Sequence, residues 1–363
     1  MITHGGDVFE VACELGISTT EILDFSANIN PRGLPERARE RLRRDAADFH
    51  QLSLYPDPSA RSLREALSAK LDIDPDAIVV GPGAEALLAP IMRAIGRGKV
   101  LFPIPAFSEY RRVCRQTDGC AISFELNRAD DFRLPVDEFC ACLRNIHPAV
   151  AIVNNPHNPS GAALSASEAA QILATASSIG CTLLLDEAFI DFAPEASLLR
   201  EAARQSHLIA LRSLTKFYGC PALRIGYAVA HPTIARAVRS AMPAWPVTQL
   251  AIDTLAEAVT DRAFAAATVA ENVERCACLK SSLEALGLYV FPSAANYLLI
   301  ELPDGAPAAS DLRRRLVTGH HILIRNCDSY ENMKPGRFIR VAVRSQPDNR
   351  RLVSALRAEL ERT

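Results

Sequence analysis

The sequence predicts an α/β fold, with a large domain whose mostly parallel sheet lies between helices and a smaller α+β domain after it. Short apolar runs rich in leucine and branched residues alternate with longer helical patterns. Those runs do not alternate polar with apolar positions, as expected of strands buried on both faces. Beyond residue 286 the pattern changes to a second group of strands. In chain order the first group is AIVV (77–80), KVLF (99–102), AVAIVN (149–154), TLLLD (182–186), HLIALRS (207–213) and IGYAVA (225–230). Between them SEAAQILATASSIG (167–180) reads as a helix closed by Gly180, the residue type that takes a left-handed cap at no steric cost. From Pro246 to Leu286 a nearly continuous helical pattern reads as two helices. YVFPSAANYLLIEL, HILIRN and FIRVAVR then read as strands of a second sheet, with helices near 309–317 and 347–361. The organisation expected is an N-terminal arm (1–44) that joins the small domain and closes the site, a large domain (45–245), and an interdomain helix with the small domain (246–363).

With 363 residues, 49% of them hydrophobic, the chain can fill two such cores. A net charge of -2 gives no reason to expect a nucleic-acid or anionic-membrane partner, and the arginine-rich RARERLRR (37–44) is followed by acids, as a solvated helix face would be. MITHGGDVFE lacks a basic segment followed by an apolar run, and no stretch approaches the ~20 apolar residues that span a bilayer. A cytoplasmic protein is expected. The 10 cysteines are scattered apart from the C-x-C pairs Cys140/Cys142 and Cys276/Cys278, which lie in helical sequence and lack zinc-ligand spacing, so they read as reduced thiols with no metal.

Lys70, Lys99, Lys216, Lys280 and Lys334 are the only lysines among 40 basic Lys and Arg residues. Lys216 stands in RSLTKFYGCPALRIGY (212–227), directly after a predicted strand. Arginine supplies charge there equally well; lysine alone loses its proton when desolvated and attacks a carbonyl. Two further strand ends converge on the same edge of the sheet. TLLLD runs into Asp186 and Glu187, and AIVNN runs into NPHNPSG, whose prolines and glycine force a loop that presents Asn155 and Asn158. Taken singly, these are a helix cap, a turn and a surface charge. Together they supply an acid, an amide and an amine, the set that pyridoxal phosphate needs for its pyridinium nitrogen, its phenolate oxygen and its aldehyde. VVGPGAEALLAPIMRAI (79–95) is strand, glycine loop and helix, so backbone N–H groups at Ala84 and Glu85 can meet a phosphate. Ser213 and Arg224 flank the lysine and can complete that cup, and Phe107 of PIPAFSEY is placed to stack on an aromatic ring.

The series GPGAE, PAFSEY, NNPHNPSG, DEAFIDF and SLTKFYGCPALRIGY resembles the fold-type I pyridoxal-phosphate enzymes, in the branch that includes histidinol-phosphate aminotransferases, over essentially the whole chain. The resemblance implies Lys216 as the Schiff-base lysine, Asp186 on the pyridinium nitrogen, Asn158 on the phenolate oxygen and Phe107 stacked on the ring. It further implies Ala84, Glu85, Ser213 and Arg224 around the phosphate, joined by Tyr55 of YPDPS from the other subunit of a homodimer. Phe189 departs from the tyrosine common in this branch after D-E-A. HGGDVFEVACELGISTTEILDFSANINPRGLP, HILIRNC and RFIRVAVRS are similar to threonine-phosphate decarboxylases of cobalamin biosynthesis, as is DEAFIDF with its phenylalanine. That similarity implies decarboxylation of L-threonine O-3-phosphate to (R)-1-amino-2-propanol O-2-phosphate and CO2. Arg325, His4 and the backbone of Gly5 would take the substrate phosphate and Arg340 its carboxylate, with Asn28 and Asn158 beside them. The alternatives are a histidinol-phosphate aminotransferase, which would require 2-oxoglutarate, and a non-enzymatic cofactor-binding domain of a regulator, which would require a DNA-binding module not seen before residue 45. A dinucleotide site is disfavoured because GPGAEA lacks the third glycine.

Overall fold

The structure, a computed structural model, describes residues 5–96 and 98–362. Its strands are β1 (Leu23–Asp24), β2 (Ile78–Gly81), β3 (Lys99–Ile104), β4 (Cys120–Glu125), β5 (Val150–Asn154), β6 (Thr182–Asp186), β7 (Leu208–Ser213), β8 (Gly226–Ala230), β9 (Tyr289–Val290), β10 (Tyr297–Glu301), β11 (Ile322–Leu323), β12 (Arg325–Asn326) and β13 (Phe338–Ala342). The large sheet has the order β2-β8-β7-β6-β5-β3-β4 and only β8 runs against its neighbours.

Two apolar layers explain why the central runs read as continuous. Ala151, Val153, Leu183 and Leu185 face one layer of helices, while Val150, Ile152 and Leu184 face the other. Successive strand residues point to opposite faces, and both faces are covered. The edge strand β4 is absent from the sequence reading because each of its residues retains exposure to solvent, so it lacks the all-apolar signature of the inner strands. The helix read at 167–180 runs Ala166–Ser178, opened by a Ser165/Glu168 capping box, with Gly180 at φ +70° one position beyond the cap. The long helical stretch divides into Gln249–Thr260 and Arg262–Glu284 at Asp261, whose carboxylate accepts from the Phe264 N–H at 2.8 Å.

The small sheet, β12-β13-β10-β9, is antiparallel and packs on the helices Ala309–His320 and Gln346–Glu361 and the end of the long helix through Leu283, Leu298, Ile300, Leu312, Ile339 and Leu352. HILIRN is not one strand of it, contrary to expectation. β11 pairs in parallel with β1 of the arm, and only β12 joins the four-stranded sheet. The cause is Phe25, whose N–H donates to Leu323 O at 2.7 Å and whose carbonyl accepts from Ala342 N–H at 2.8 Å, so the arm occupies the ladder between them.

The arm is also tied to the lysine loop. Asn30 N–H donates to the Lys216 carbonyl at 3.1 Å, and Asn30 Nδ2 donates to the Phe217 carbonyl at 2.7 Å. Gly219 sits there at φ +60°, and a Cβ on it would stand 2.6 Å from Gly33 Cα. Only glycine permits that approach.

Candidate active site

Strands β5, β6 and β7 are neighbours and run the same way, so Asn154, Asp186 and Ser213 end them at one rim of the sheet. This is the carboxyl edge, where open α/β sheets bind ligands. The rim opens on a cavity of about 340 Å³. Asp186 is buried there. Its Oδ2 accepts from the Tyr110 hydroxyl at 2.5 Å and its Oδ1 from the Ala188 N–H at 3.0 Å. Burial is the main cause pushing its carboxyl pKa up, with Glu187 adding to it, and the two donors work in the opposite direction by favouring the anion. Asn154 Nδ2 donates to the Asp186 carbonyl at 2.7 Å, and its Oδ1 accepts the Asn158 N–H at 2.7 Å. Asn154 thereby fixes the loop that places Asn158 in the cavity wall.

Two strand-end residues do not join the site. Glu187, next to Asp186, emerges on the opposite side and is fully buried, accepting from Arg212 Nε at 2.8 Å and the Leu198 N–H at 3.0 Å. Asn155 turns inward, accepting from Leu164 N–H at 2.9 Å and closing the turn beneath the cavity. Both corrections have one cause: adjacent residues of an extended chain project to opposite sides.

At one end the helix Ala84–Ile95 starts at the rim, with the N–H groups of Ala84 and Glu85 in its first, unbonded turn. Gly83 stands at φ +99°, and a Cβ on it would lie 2.9 Å from Arg224 Nη2. Gly226 is equally constrained, since a Cβ would meet Ala84 N at 2.6 Å. The two glycines bring the start of the helix and Arg224 against one space, which the hydroxyls of Ser213 and Thr215, 2.9 Å apart, also line.

Lys216 lies in the short helix Leu214–Phe217 directly after β7, and its side chain lines the same cavity. Burial, with Arg340 and Arg224 nearby, pushes its amine down to about 8, while Asp24 opposes the shift. Phe107 lines the wall and meets the Tyr110 ring edge-on at 5.8 Å. Phe189 also lines it, in a T-shaped contact with Tyr297 at 5.0 Å, and so brings an aromatic ring and no hydroxyl to the wall.

The facing wall comes from the small sheet and the arm. Arg340, on β13, donates from Nη1 to Asn158 Oδ1 at 2.5 Å and to the Tyr330 hydroxyl at 3.1 Å, and from Nη2 to the Ser26 carbonyl at 3.1 Å. Arg325, on β12, donates to Ser329 Oγ at 2.7 Å and lies over the Tyr330 ring, 5.5 Å from its centre. Gly5 and Asn28 line the wall beside them. A Cβ on Gly5 would stand 2.2 Å from Ser26 O, so the arm's fold needs glycine there. His4 lies outside the described residues. Tyr55 lies away from this cavity; it is exposed and stacked on Trp245 with ring centres 4.5 Å apart.

Asn154, Tyr110 and Tyr330 were not among the residues read from sequence. Asn154 was discoverable from strand parity within the NN doublet, and Tyr110 from its helical spacing to Phe107. Tyr330 lies in a loop without periodicity and left no signal.

The residues fit pyridoxal 5'-phosphate. One end of the cavity gathers donors for a phosphate, its floor carries a carboxylate for a ring nitrogen, its walls carry an aromatic face and an amide, and a desolvated amine stands among them. Among the described residues no group of three or more His, Cys, Asp and Glu could hold a metal, and no helix is long and apolar enough to cross a membrane.

Residues 20–356 match the family model "Aminotransferase class I and II". The chain is 36% identical over 363 residues to the threonine-phosphate decarboxylase of Salmonella typhimurium, covering 98% of this chain and 95% of that one. It is 31% identical to an adenosylcobalamin biosynthesis bifunctional protein of Leptospira interrogans over 97% of its own length, spanning only 40% of that longer relative. A histidinol-phosphate aminotransferase of Methanococcus aeolicus is 28% identical, with 96% of this chain and 92% of that one covered. In fold the chain is similar to the Sinorhizobium meliloti histidinol-phosphate aminotransferase solved in complex with pyridoxal-5'-phosphate, with a TM-score of 0.87 and 22% identity over 98% of this chain and 94% of that one. Sheet order, cavity chemistry and full-length similarity agree: the chain belongs to the class I and II aminotransferase family, fold-type I enzymes that use pyridoxal 5'-phosphate.

Proposed function

We propose that the protein decarboxylates L-threonine O-3-phosphate to (R)-1-amino-2-propanol O-2-phosphate and CO2. The observation that carries this reading is the pair of buried arginines, Arg325 and Arg340, lining the same small cavity as Lys216. Two fixed cations beside one amine suit a small substrate with an anion at each end. The full-length similarity to a threonine-phosphate decarboxylase supports the same assignment.

In this reading Ala84, Glu85, Ser213 and Arg224 hold the cofactor phosphate, Asp186 its ring nitrogen, Asn158 its phenolic oxygen and Phe107 its ring face. Bound there, the cofactor supplies an electron sink for the bond that breaks at the substrate Cα. Arg340 would hold the carboxylate, while Arg325, with Gly5 of the arm, would hold the phosphate, and Asn28 lines the cavity with them. Fixing both ends would select which bond at Cα is set to break, so positioning decides between loss of CO2 and loss of a proton. When the carboxylate leaves as CO2, Lys216 Nζ delivers the proton that replaces it on Cα. Tyr55 would reach the cofactor phosphate of a second subunit in a homodimer. Phe49, Leu52, Leu54, Tyr55 and Trp245, all exposed, are consistent with that interface.

The 28% identity to a histidinol-phosphate aminotransferase favours a second reading, transfer of the amino group from a phosphorylated amine. Holoenzyme mixed with L-threonine O-3-phosphate and no 2-oxo acid separates the two. Sustained CO2 release with the original cofactor spectrum restored is the expected result. Conversion of the cofactor to its amine form in one turnover, with no CO2 and with turnover restored by 2-oxoglutarate, would replace decarboxylation by transamination.

A further inference from the structure

Between β12 and β13 the chain forms a loop, residues 327–337, anchored to both halves of the molecule. On the small-domain side Asp328 accepts from Gly336 N–H at 2.6 Å, and Asn326 Oδ1 accepts from Asp328 N–H at 2.7 Å. On the large-domain side Glu331 accepts from Arg111 at 2.5 and 2.6 Å, and Asn332 Nδ2 donates to the Leu126 carbonyl at 2.8 Å. Tyr330 sits between these anchors and reaches into the cavity. Its hydroxyl donates to Asn158 Oδ1 at 3.0 Å and accepts from Arg340 Nη1 at 3.1 Å, and its ring lies beneath the Arg325 guanidinium. One side chain therefore contacts both arginines and the cavity amide, and its two parts contact different partners.

We infer that Tyr330 is a positioning residue that sets the spacing of two anion-binding arginines, its ring orienting Arg325 and its hydroxyl orienting Arg340 and Asn158. This rests on the proposed substrate reading, in which those arginines take the phosphate and the carboxylate. The hydroxyl acts by geometry. With its oxygen saturated by Arg340 and Tyr330, the Asn158 carboxamide keeps Nδ2 as its free end toward the cavity, and Arg340 Nη1 is held so that its remaining edge faces the ligand. Arg340 Nε, on the guanidinium side shared with Nη2, is buried with no protein partner among the described residues. The ring acts by packing, as a flat cation-π platform that limits how far Arg325 can swing. A ligand carrying both anions uses both parts of the tyrosine; a ligand with a carboxylate alone uses only the hydroxyl.

The test compares holoenzyme with its Tyr330→Phe and Tyr330→Leu variants, reading dissociation constants from the cofactor absorbance for L-threonine O-3-phosphate and for L-threonine. Tyr330→Phe is expected to weaken both ligands by about tenfold with their ratio unchanged, since only the hydrogen bonds to charged and amide groups are lost. Tyr330→Leu is expected to lower the preference for the phosphorylated ligand as well. Unchanged dissociation constants in Tyr330→Phe, or an unchanged ratio in Tyr330→Leu, would overturn the assignment. Arg325→Gln and Arg340→Gln serve as the separate check. If neither weakens L-threonine O-3-phosphate, the substrate reading itself fails; if both do while the tyrosine variants bind like the parent, only the role of Tyr330 fails.

Discussion

The two walls of the cavity are built to different standards of completion. On the large-domain wall both oxygens of Asp186 have donors, Asn154 is bonded at both ends of its amide, and the Ser213 and Thr215 hydroxyls meet each other. On the facing wall Arg340 Nε and Asn28 Oδ1 are buried without a protein partner among the described residues. Buried polar atoms are almost always paired, and these two belong to residues that line the cavity. The difference teaches that the carboxylate and amide of the large-domain wall are fixed by protein partners before anything binds, whereas the Ala84 and Glu85 N–H groups at its end, like the facing wall, keep hydrogen bonds for a ligand.

That contrast breaks most visibly at Lys216. Lys216→Ala is expected to lower turnover by at least about a thousandfold, and borohydride should no longer fix the cofactor to the chain, as mass spectrometry would report. Asp186→Ala should come next, raising the cofactor dissociation constant by about tenfold or more and cutting turnover by about a hundredfold, because the ring nitrogen loses its counter-ion. Arg340→Gln and Arg325→Gln should instead leave cofactor affinity within about twofold while raising KM by ten- to a hundredfold. Equal damage to cofactor affinity from both sets would erase the distinction between the walls.

The pH behaviour sharpens it further. Burial lowers the Lys216 pKa to about 8 from an ordinary 10.5, so between those values the folded apoprotein has released a proton that the unfolded chain still holds. The cost of burying the charged amine is therefore full below pH 8 and is relieved as pH rises from 8 toward 10.5, so this group's contribution to stability increases through that window. Apoprotein is expected to capture cofactor faster as pH rises through about 8 and then level off, a profile that stopped-flow absorbance would read. The smallest effect is expected from Phe189→Tyr. A hydroxyl restored near the amide should shift the cofactor absorbance and change turnover a few-fold without altering KM.

The legible parts of the molecule are those where one residue's chemistry suffices. Lys216, Asp186 and the glycine loop follow from strand ends and from what an amine, an acid and an N–H cluster can do, and each stands in the cavity. Legibility fails where side-chain parity or long-range contact decides. Asn155 and Glu187 stand at the same strand ends as the site residues Asn158 and Asp186, and composition does not reveal which side of an extended chain a residue faces. Tyr330 escaped because its role depends on Asn158 and Arg340, 172 and 10 residues away in sequence. HILIRN divided between two sheets because Phe25, from the far end of the chain, pairs beside it.

The interlock of the arm has a consequence for biosynthesis. β1 is made long before its ladder partner β11, and its neighbour Phe25 bonds to Ala342. During translation the arm must wait, without its strand partners, until β11 and Ala342 have left the ribosome, and the long loop this closes makes it a late and slow step. A nascent chain halted before residue 322 lacks β11, the arginines of β12 and β13, and the Cys327, Met333 and Phe338 that complete the large-domain core. Assembly of the site thereby waits on synthesis of β11 to β13, and fragments that end before them carry an arm without its strand partners, exposed as chain termini are to proteolysis.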